Sequence, residues 1–233
     1  MSFYEGNEKK IIERLLAAHD PTKAIIRNRV FQAEYEFFRE HIQNQKVLVC
    51  GSGLGHDSFE LAKHNQEVIG VELLDSLVAY AYAEKVRLGL KNVHLFSDNL
   101  TNPKWMNGMY IYQYFDSAVM NMGTIGNFTK DEQAAIIFNV GKLAKVFYFD
   151  FYPPTEQALQ IRKQMYLEEY WGEIRIEGTT LVSEEGLYSQ SYDQQYFEDL
   201  ATQIRNDGRG AEVKFHQLTD FAIMAEIKSW CVL

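Results

Sequence analysis

A short apolar run, Val47-Leu48-Val49-Cys50, leads directly into Gly51-Ser52-Gly53-Leu54-Gly55-His56-Asp57. Glycines in this spacing let a chain turn sharply and let a ligand approach the main chain closely. The helix that follows presents free N–H groups at its start. A second apolar run, Val68-Ile69-Gly70-Val71, ends in Glu72-Leu73, and Glu72 stands 21 residues after Gly51. A carboxylate at that strand end is placed to accept hydrogen bonds from both ribose hydroxyls of an adenosine group.

Spacing separates the nucleotide-binding patterns. A dinucleotide loop runs G-x-G-x-x-G, which seats a diphosphate on the helix N-terminus. Here the third glycine is Gly55, giving G-x-G-x-G, and His56 occupies the dinucleotide position. The Gly-Lys-Ser/Thr ending of a phosphate-binding loop is absent.

The elements that must position these groups follow from periodicity. Ile11, Ile12, Leu15 and Leu16 predict a first helix, broken at Asp20-Pro21. Ile26, Val30, Tyr35, Phe37 and Phe38 give an apolar side to a second, over about 23–42. From Lys46, strands are predicted at 47–50, 68–73, 93–96, 115–120 and 146–151, with helices at about 57–64, 75–89 and 130–143. This alternation implies a parallel sheet with helices on both faces. Apolar runs rich in β-branched residues suit strands buried on both sides.

The last third departs from the alternation. A helix-like piece and an aromatic-rich stretch occupy 155–192, with strands predicted within 173–182. A helix at about 193–205 precedes two closing strands, 211–216 and 220–227. Their connection, Gln217-Leu218-Thr219, is too short for a parallel crossover, so the pair must be antiparallel. No repeat or linker is visible. One domain is predicted over 1–233, with a helical cap over 1–45 and an insertion over 153–192 that acts as a lid or substrate-recognition element.

Composition narrows the partners. The 233 residues carry a net charge of −9, with 46% hydrophobic and 24% charged residues. An acidic chain argues against nucleic acid, which needs a clustered basic surface, and against an anionic membrane surface. A small-molecule partner fits better, and a homodimer is open. No run approaches the roughly 18 apolar residues of a membrane helix. The N-terminus lacks the apolar stretch of a secretory leader, and Cys231 stands one residue too late for a prenylation box. Two cysteines, Cys50 and Cys231, make no disulfide framework, and reduced thiols point to a cytoplasmic setting. No metal centre is expected.

Taken as a set, residues 46–151 resemble the class I S-adenosylmethionine-dependent methyltransferases. Their first motif is an apolar run followed by G-x-G-x-G, and their second strand ends in the Asp or Glu that holds the ribose. The resemblance implies a Rossmann-like seven-stranded α/β sheet, mostly parallel, with an antiparallel C-terminal hairpin and helices on both faces. It implies S-adenosylmethionine as cofactor and S-adenosylhomocysteine as product. Gly51, Ser52, Gly53 and Gly55 would line the methionine and ribose parts, Glu72 would bind the ribose hydroxyls, and Leu73 would flank the adenine. Asp98, beside Asn99, would accept from the adenine amino group. Asn121, Met122 and Gly123 would sit beside the transferred methyl. The family commonly carries an acid two residues before the first glycine. That position is Val49 here, and Asp57, which lies near, is the residue that could compensate.

The stretch Gly123-Thr124-Ile125-Gly126-Asn127 is similar to one in the histidine-specific methyltransferases, and more loosely to a turn of the glycine N-methyltransferases. This implies Asn127 as a substrate contact and an amine or amino acid nitrogen as acceptor. Methyl transfer from a sulfonium needs mainly alignment, but an amine nucleophile must be neutral. His56, Asp57 and Tyr152 are the candidate catalytic groups by position. Each also has a structural role open to it: His56 as a helix cap, Asp57 as a complement to the helix dipole, Tyr152 as packing against Pro153-Pro154. Tyr152 and Tyr192 are candidate substrate contacts within an aromatic-rich segment that also holds Tyr166, Tyr170, Trp171, Tyr188 and Tyr196. Such rings hold methylammonium groups by cation–π attraction, or simply pack. Two alternatives stay open on the same fold: aminopropyl or aminocarboxypropyl transfer, as in spermidine synthase-like enzymes, and a non-catalytic binding subunit.

Overall fold

The apolar runs that alternate with helical segments assemble into one sheet. The structure, a computed structural model, describes residues 7–104, 114–206 and 209–231. Residues 1–6 and 232–233, on which the leader and prenylation expectations partly rest, lie outside the described residues. Strands β1 (Lys46–Cys50), β2 (Glu67–Glu72), β3 (Val93–Ser97), β4 (Phe115–Met120) and β5 (Ala144–Phe151) come first. Three short strands follow, β6 (Ile174–Glu177), β7 (Thr180–Ser183) and β8 (Tyr188–Gln190), and then β9 (Arg209–Gln217) and β10 (Ile223–Cys231).

The main sheet has the order β3-β2-β1-β4-β5-β10-β9. β1 pairs in parallel with β2 and β4, β2 with β3, and β4 with β5. β10 lies between β5 and β9 and is antiparallel to both. The seven-stranded, mostly parallel sheet with its antiparallel closing pair is the fold that the sequence predicts. The chain builds outward from β1 to β3, then returns to build β4 and β5 on the other side. That reversal opens a crevice between the carboxyl ends of β1 and β4, where open α/β sheets bind ligands.

Seven helices are described: α1 (Glu8–Ala18), α2 (Ile25–His41), α3 (His56–Ala62), α4 (Asp75–Leu88), α5 (Lys130–Leu143), α6 (Glu156–Glu168) and α7 (Gln194–Asn206). Alternation in β1 fixes which side chains meet which helices. Val47 and Val49 face Phe37, Phe38 and Phe59, whereas Leu48 and Cys50 face Ile136, Val140 and Phe197. Both faces are therefore buried, as a strand apolar throughout requires. Burial pushes the Cys50 thiol pKa up. α5 begins in a capping box, with Thr129 and Glu132 each satisfying the other's backbone N–H.

The structure refines three expectations. β10 starts at Ile223 rather than 220, because Leu218 and Thr219 both donate their N–H to Ala222 O and hold Asp220–Ala222 in the turn. The stretch over 153–192 carries three strands, one of them the three-residue β8, too short to register as a pattern. The segment 1–45 divides. α1 packs through Ile11 and Leu15 against Leu54, Leu74 and Leu77 at the crevice, while α2 sends Phe37 and Phe38 into the sheet core. No helix among the described residues is long and apolar enough to cross a membrane.

Candidate functional site

The loop after β1 is held by the strand beside it. The N–H groups of Gly51 and Ser52 both donate to Val71 O, at 2.8 and 3.0 Å. Gly55 caps α3 at φ 89°, a left-handed conformation in which a Cβ would also sit 2.5 Å from the Phe59 ring. Only glycine combines that φ with so close a ring. The Gly53 N–H donates to Glu72 Oε2 at 2.9 Å, and Glu72 Oε1 accepts from Leu73 and Leu74 at 2.8 and 3.2 Å. Burial raises the Glu72 pKa, and these three amides oppose it. A carboxylate has about four acceptor positions, so about one is left.

A cleft of about 450 Å³ opens over this loop, at the carboxyl ends of β1, β2 and β4. Gly51, Ser52, Gly53, Glu72 and the exposed Leu73 line one part of it, with Asp98 and Asn99 beyond them. Asp98 accepts the N–H of Asn99 at 2.7 Å and of Lys104 at 2.8 Å, and Asn99 Oδ1 caps Thr101. Both side chains thus shape their own loop as well as face the cleft. α1 forms the cover, with Ile11, Leu15 and Ala18 on the lining.

The turn after β4 is the second wall. Met122 and Gly123 take φ values of 65° and 62° in succession. The Met122 N–H donates to Glu34 Oε1 at 3.3 Å and the Gly123 N–H to Asp150 Oδ1 at 2.7 Å. A Cβ on Gly123 would run into the Tyr152 ring. Gly123→Ala combines left-handed strain of about 1–2 kcal/mol with overpacking of about 1–3 kcal/mol. The expected loss of stability, read by urea unfolding, is about 3 kcal/mol. A loss under about 0.5 kcal/mol would show that the turn relaxes freely.

Among the candidate catalytic groups, His56 and Asp57 line the cleft and Tyr152 does not. The His56 ring stacks on His19 at 3.6 Å, and His19 on Phe31 at 4.3 Å. Burial lowers the pKa of both imidazoles, that of His19 to about 2. Asp57 is buried and accepts from the Tyr35 hydroxyl at 3.1 Å. Burial pushes its pKa up to about 6, against the Tyr35 hydrogen bond and the Asn121 amide, which approaches it without a well-formed hydrogen bond.

Tyr152 and Tyr192 lie behind the cleft wall. Tyr152 is 1% exposed, its hydroxyl accepts from Arg27 Nη1 at 2.8 Å, and the Arg162 guanidinium covers its ring at 4.4 Å. Tyr192 stacks on Tyr196 at 4.6 Å and accepts from Gln133 Nε2 at 2.7 Å. Both rings are packed and hydrogen-bonded, and neither is on the cleft lining. Gly55, Asn121 and Gly123 shape the walls without lining the cleft, whereas Met122 and Asn127 line it.

Further groups at this end escaped the sequence reading. Arg27 is buried and pairs with Glu169, Nε to Oε1 at 2.7 Å, and both line the cleft with Tyr166 and Trp171. The Trp171 indole N–H donates to Glu169 Oε2 at 3.2 Å. Arg14 of α1 lies 4.2 Å over the Trp171 ring and donates to Glu185 at 2.8 Å. Arg27 and Glu34 stand seven residues apart on the stripe of α2 that also carries Val30, Phe31, Phe37 and Phe38. Charges on an apolar stripe are the signal that was available.

No known protein-family description matches this chain, and no curated protein sequence does. Solved structures match over most of its length. A Pyrococcus horikoshii protein is 17% identical, with 91% of this chain and 97% of that one covered and a TM-score of 0.67. Magnesium protoporphyrin IX methyltransferase from Synechocystis PCC 6803, solved with bound S-adenosylhomocysteine, is 12% identical, with 97% and 96% covered and a TM-score of 0.63. The 1,6-didemethyltoxoflavin-N1-methyltransferase of Burkholderia thailandensis, solved with that substrate and S-adenosylhomocysteine, is 13% identical, with 95% and 89% covered and a TM-score of 0.56. The strand order, the glycine loop at the crevice and these likenesses together identify the fold as that of the class I S-adenosylmethionine-dependent methyltransferases.

Proposed function

We propose that the protein is a S-adenosylmethionine-dependent methyltransferase acting on a small molecule, at an amine or amino acid nitrogen. The observation that carries this is the Glu72 carboxylate at the end of β2, bonded to the Gly53 amide inside a cleft at the crevice. The donor set fits the cofactor. Glu72 keeps about one acceptor position for a ribose hydroxyl, and a second hydroxyl exchanges with one of its amides. Leu73 offers an apolar edge to the adenine, with Asp98 and Asn99 beside it. At Gly53 a Cβ would meet only Leu15, at 3.8 Å, so the loop leaves the main chain open to a ligand. When bound, the cofactor supplies a sulfonium-activated methyl group.

The chain's own task is then to bind, orient and keep water out. Gly51, Ser52 and Met122 form the wall for the methionine part, and Asn127 and Thr124 lie beside Met122 for the acceptor. His56 lines the cleft beside Asp57 and is the group placed to take a proton from an amine, against the burial that lowers its pKa. Tyr152 is a positioning residue through its bond to Arg27. α1 and the insertion over 153–192 serve as the lid, latched by Arg14 and Lys10 on Glu185. Nitrogen as acceptor is supported by Asn127 on the lining and by the name of the Burkholderia neighbour. The buried, reduced Cys50 suits a cytoplasmic setting.

The test is calorimetric titration with S-adenosylhomocysteine, followed by product analysis with S-adenosylmethionine and a panel of amines and amino acids. Micromolar binding and release of S-adenosylhomocysteine are expected. Methylthioadenosine as product would move the activity to aminopropyl or aminocarboxypropyl transfer. Absence of binding by folded protein would refute the cofactor.

A further inference from the structure

A left-handed residue just past α6 sets two opposite charges around one indole. Tyr170 takes φ 62°, and its neighbours Glu169 and Trp171 both line the cleft. Bulky residues seldom adopt that conformation, and such strain gathers at functional sites. The Trp171 N–H donates to Glu169 Oε2 at 3.2 Å, and the Arg14 guanidinium lies 4.2 Å over the ring. A carboxylate thus stands at the indole edge and a guanidinium over its face, and Arg14 is on the lining too.

Each charge has capacity left. Glu169 is buried and accepts from Arg27 Nε at 2.7 Å, Arg27 Nη2 at 3.5 Å and Trp171, which leaves about one of its four acceptor positions. A guanidinium has five N–H donors. The two hydrogen bonds of Arg14 among the described residues both go to Glu185, at 2.8 Å to the carboxylate and 3.4 Å to the main-chain oxygen. Arg27 differs, because Glu169, Tyr152 and the Met122 carbonyl take its donors. The Glu185 side chain is 42% exposed and is also held by Lys10 at 3.1 Å. An exposed pair contributes little, so another carboxylate can take Arg14 while Lys10 keeps Glu185.

This corner lies on the acceptor side of the cleft. The glycine loop and Glu72 lie toward β2, whereas Glu169 and Trp171 follow α6, beyond β5. Arg27 joins Glu169 to the Met122 carbonyl. β8 sits so close to the turn of Asn127 that a Cβ on Gly126 would be 2.6 Å from Gln190 O. Around Trp171 and Tyr166 gather two guanidiniums, Arg14 and Arg27, and the Glu169 carboxylate. A simple amine would bring a further cation beside both guanidiniums, and a simple acid would face Glu169. A short zwitterion matches both signs and adds no net charge.

We infer that the acceptor is a free α-amino acid, its carboxylate taken by Arg14 on the Trp171 face and its ammonium by Glu169. The inference rests on the methyl-transfer reading above and narrows its substrate class.

The experiment is product analysis by mass spectrometry with S-adenosylmethionine and the twenty protein amino acids, each beside its decarboxylated amine. A methylated amino acid is expected, with kcat/KM about 30-fold or more above that of the matching amine. Arg14→Gln is expected to raise KM for the amino acid by about 30-fold with little change in kcat, the mark of a binding contact. Arg14→Lys keeps the charge without the fork and should fall between. Glu185→Gln is expected to lower that KM, because it removes the competitor for Arg14. A mere latch on α1 would make both variants shift KM the same way, which overturns the inference. So does equal turnover of the amines, or no methylated amino acid from protein that binds S-adenosylhomocysteine. Calorimetry with S-adenosylhomocysteine supplies the remaining control. A loss of its affinity in Arg14→Gln that matches the rise in KM would assign the guanidinium to the cofactor's own carboxylate and overturn the inference. No binding of S-adenosylhomocysteine by folded wild-type protein overturns the methyl-transfer reading itself.

Discussion

Glu72→Ala is expected to weaken S-adenosylhomocysteine binding by about 100-fold or more while the protein stays folded. A hydrogen bond to a charged group contributes about 1.5–3 kcal/mol, and a ribose diol makes two. Their loss corresponds to at least about 3 kcal/mol, and each 1.4 kcal/mol is tenfold in affinity. The substitution also frees the Gly53 amide, so the loop loses the tie that holds it to β2. Leu73 beside it is exposed, so water can reach the freed amides and the cost to folding stays small. Glu72→Gln keeps the shape but loses the charge and turns an amide donor toward the amides of Gly53 or Leu73. It should fall between the two. Calorimetry gives the affinities, and circular dichroism checks the fold. Affinity within threefold of the parent in Glu72→Ala would place the nucleoside elsewhere.

Arg27→Met is expected to cost about 3–5 kcal/mol of stability, the usual result of removing one member of a buried ion pair. Desolvation works against the Arg27 charge, but Glu169, Tyr152 and Tyr166 together outweigh it and hold its pKa above the usual range. Without the guanidinium, Glu169 is left as an uncompensated buried charge, and the Tyr152 hydroxyl and Met122 carbonyl lose a donor. For a chain of this length the expected fall in Tm is about 10 °C. The double variant Arg27→Met, Glu169→Gln removes both charges and should be more stable than Arg27→Met alone. Urea unfolding of the two variants measures this. A loss below about 1 kcal/mol in the single variant would mean that the pair behaves as if exposed to solvent.

Where the glycine loop and the ends of β2 and β4 fall was legible because those constraints are local. The glycine loop needs a left-handed cap at Gly55, and Glu72 needs only to end the next strand, so spacing alone locates both. Asn127 and Met122 follow from the same logic at the end of β4. The placement of the aromatic rings was not legible, because composition records how many rings a segment holds and not which side of a wall they occupy. Tyr152 and Tyr192 went into the packing, and Tyr166 and Trp171 of the same segment lined the cleft. The charged core was signalled and passed over: Asp150 interrupts the run Phe147-Tyr148-Phe149-Asp150-Phe151, where a strand buried on both faces should hold no charge.

The sequence by itself determined the sheet, its parallel character, the antiparallel closing pair and the position of the glycine loop, since periodicity and turn chemistry act over a few residues. Tertiary structure decided that α1 covers the cleft while α2 enters the core, that Arg27 meets Glu169, and that Glu34, Asp57 and Asp150 share one turn. Those outcomes depend on desolvation, which is set by everything packed around a group. Residues more than a hundred positions apart supply that packing, and no local pattern records it.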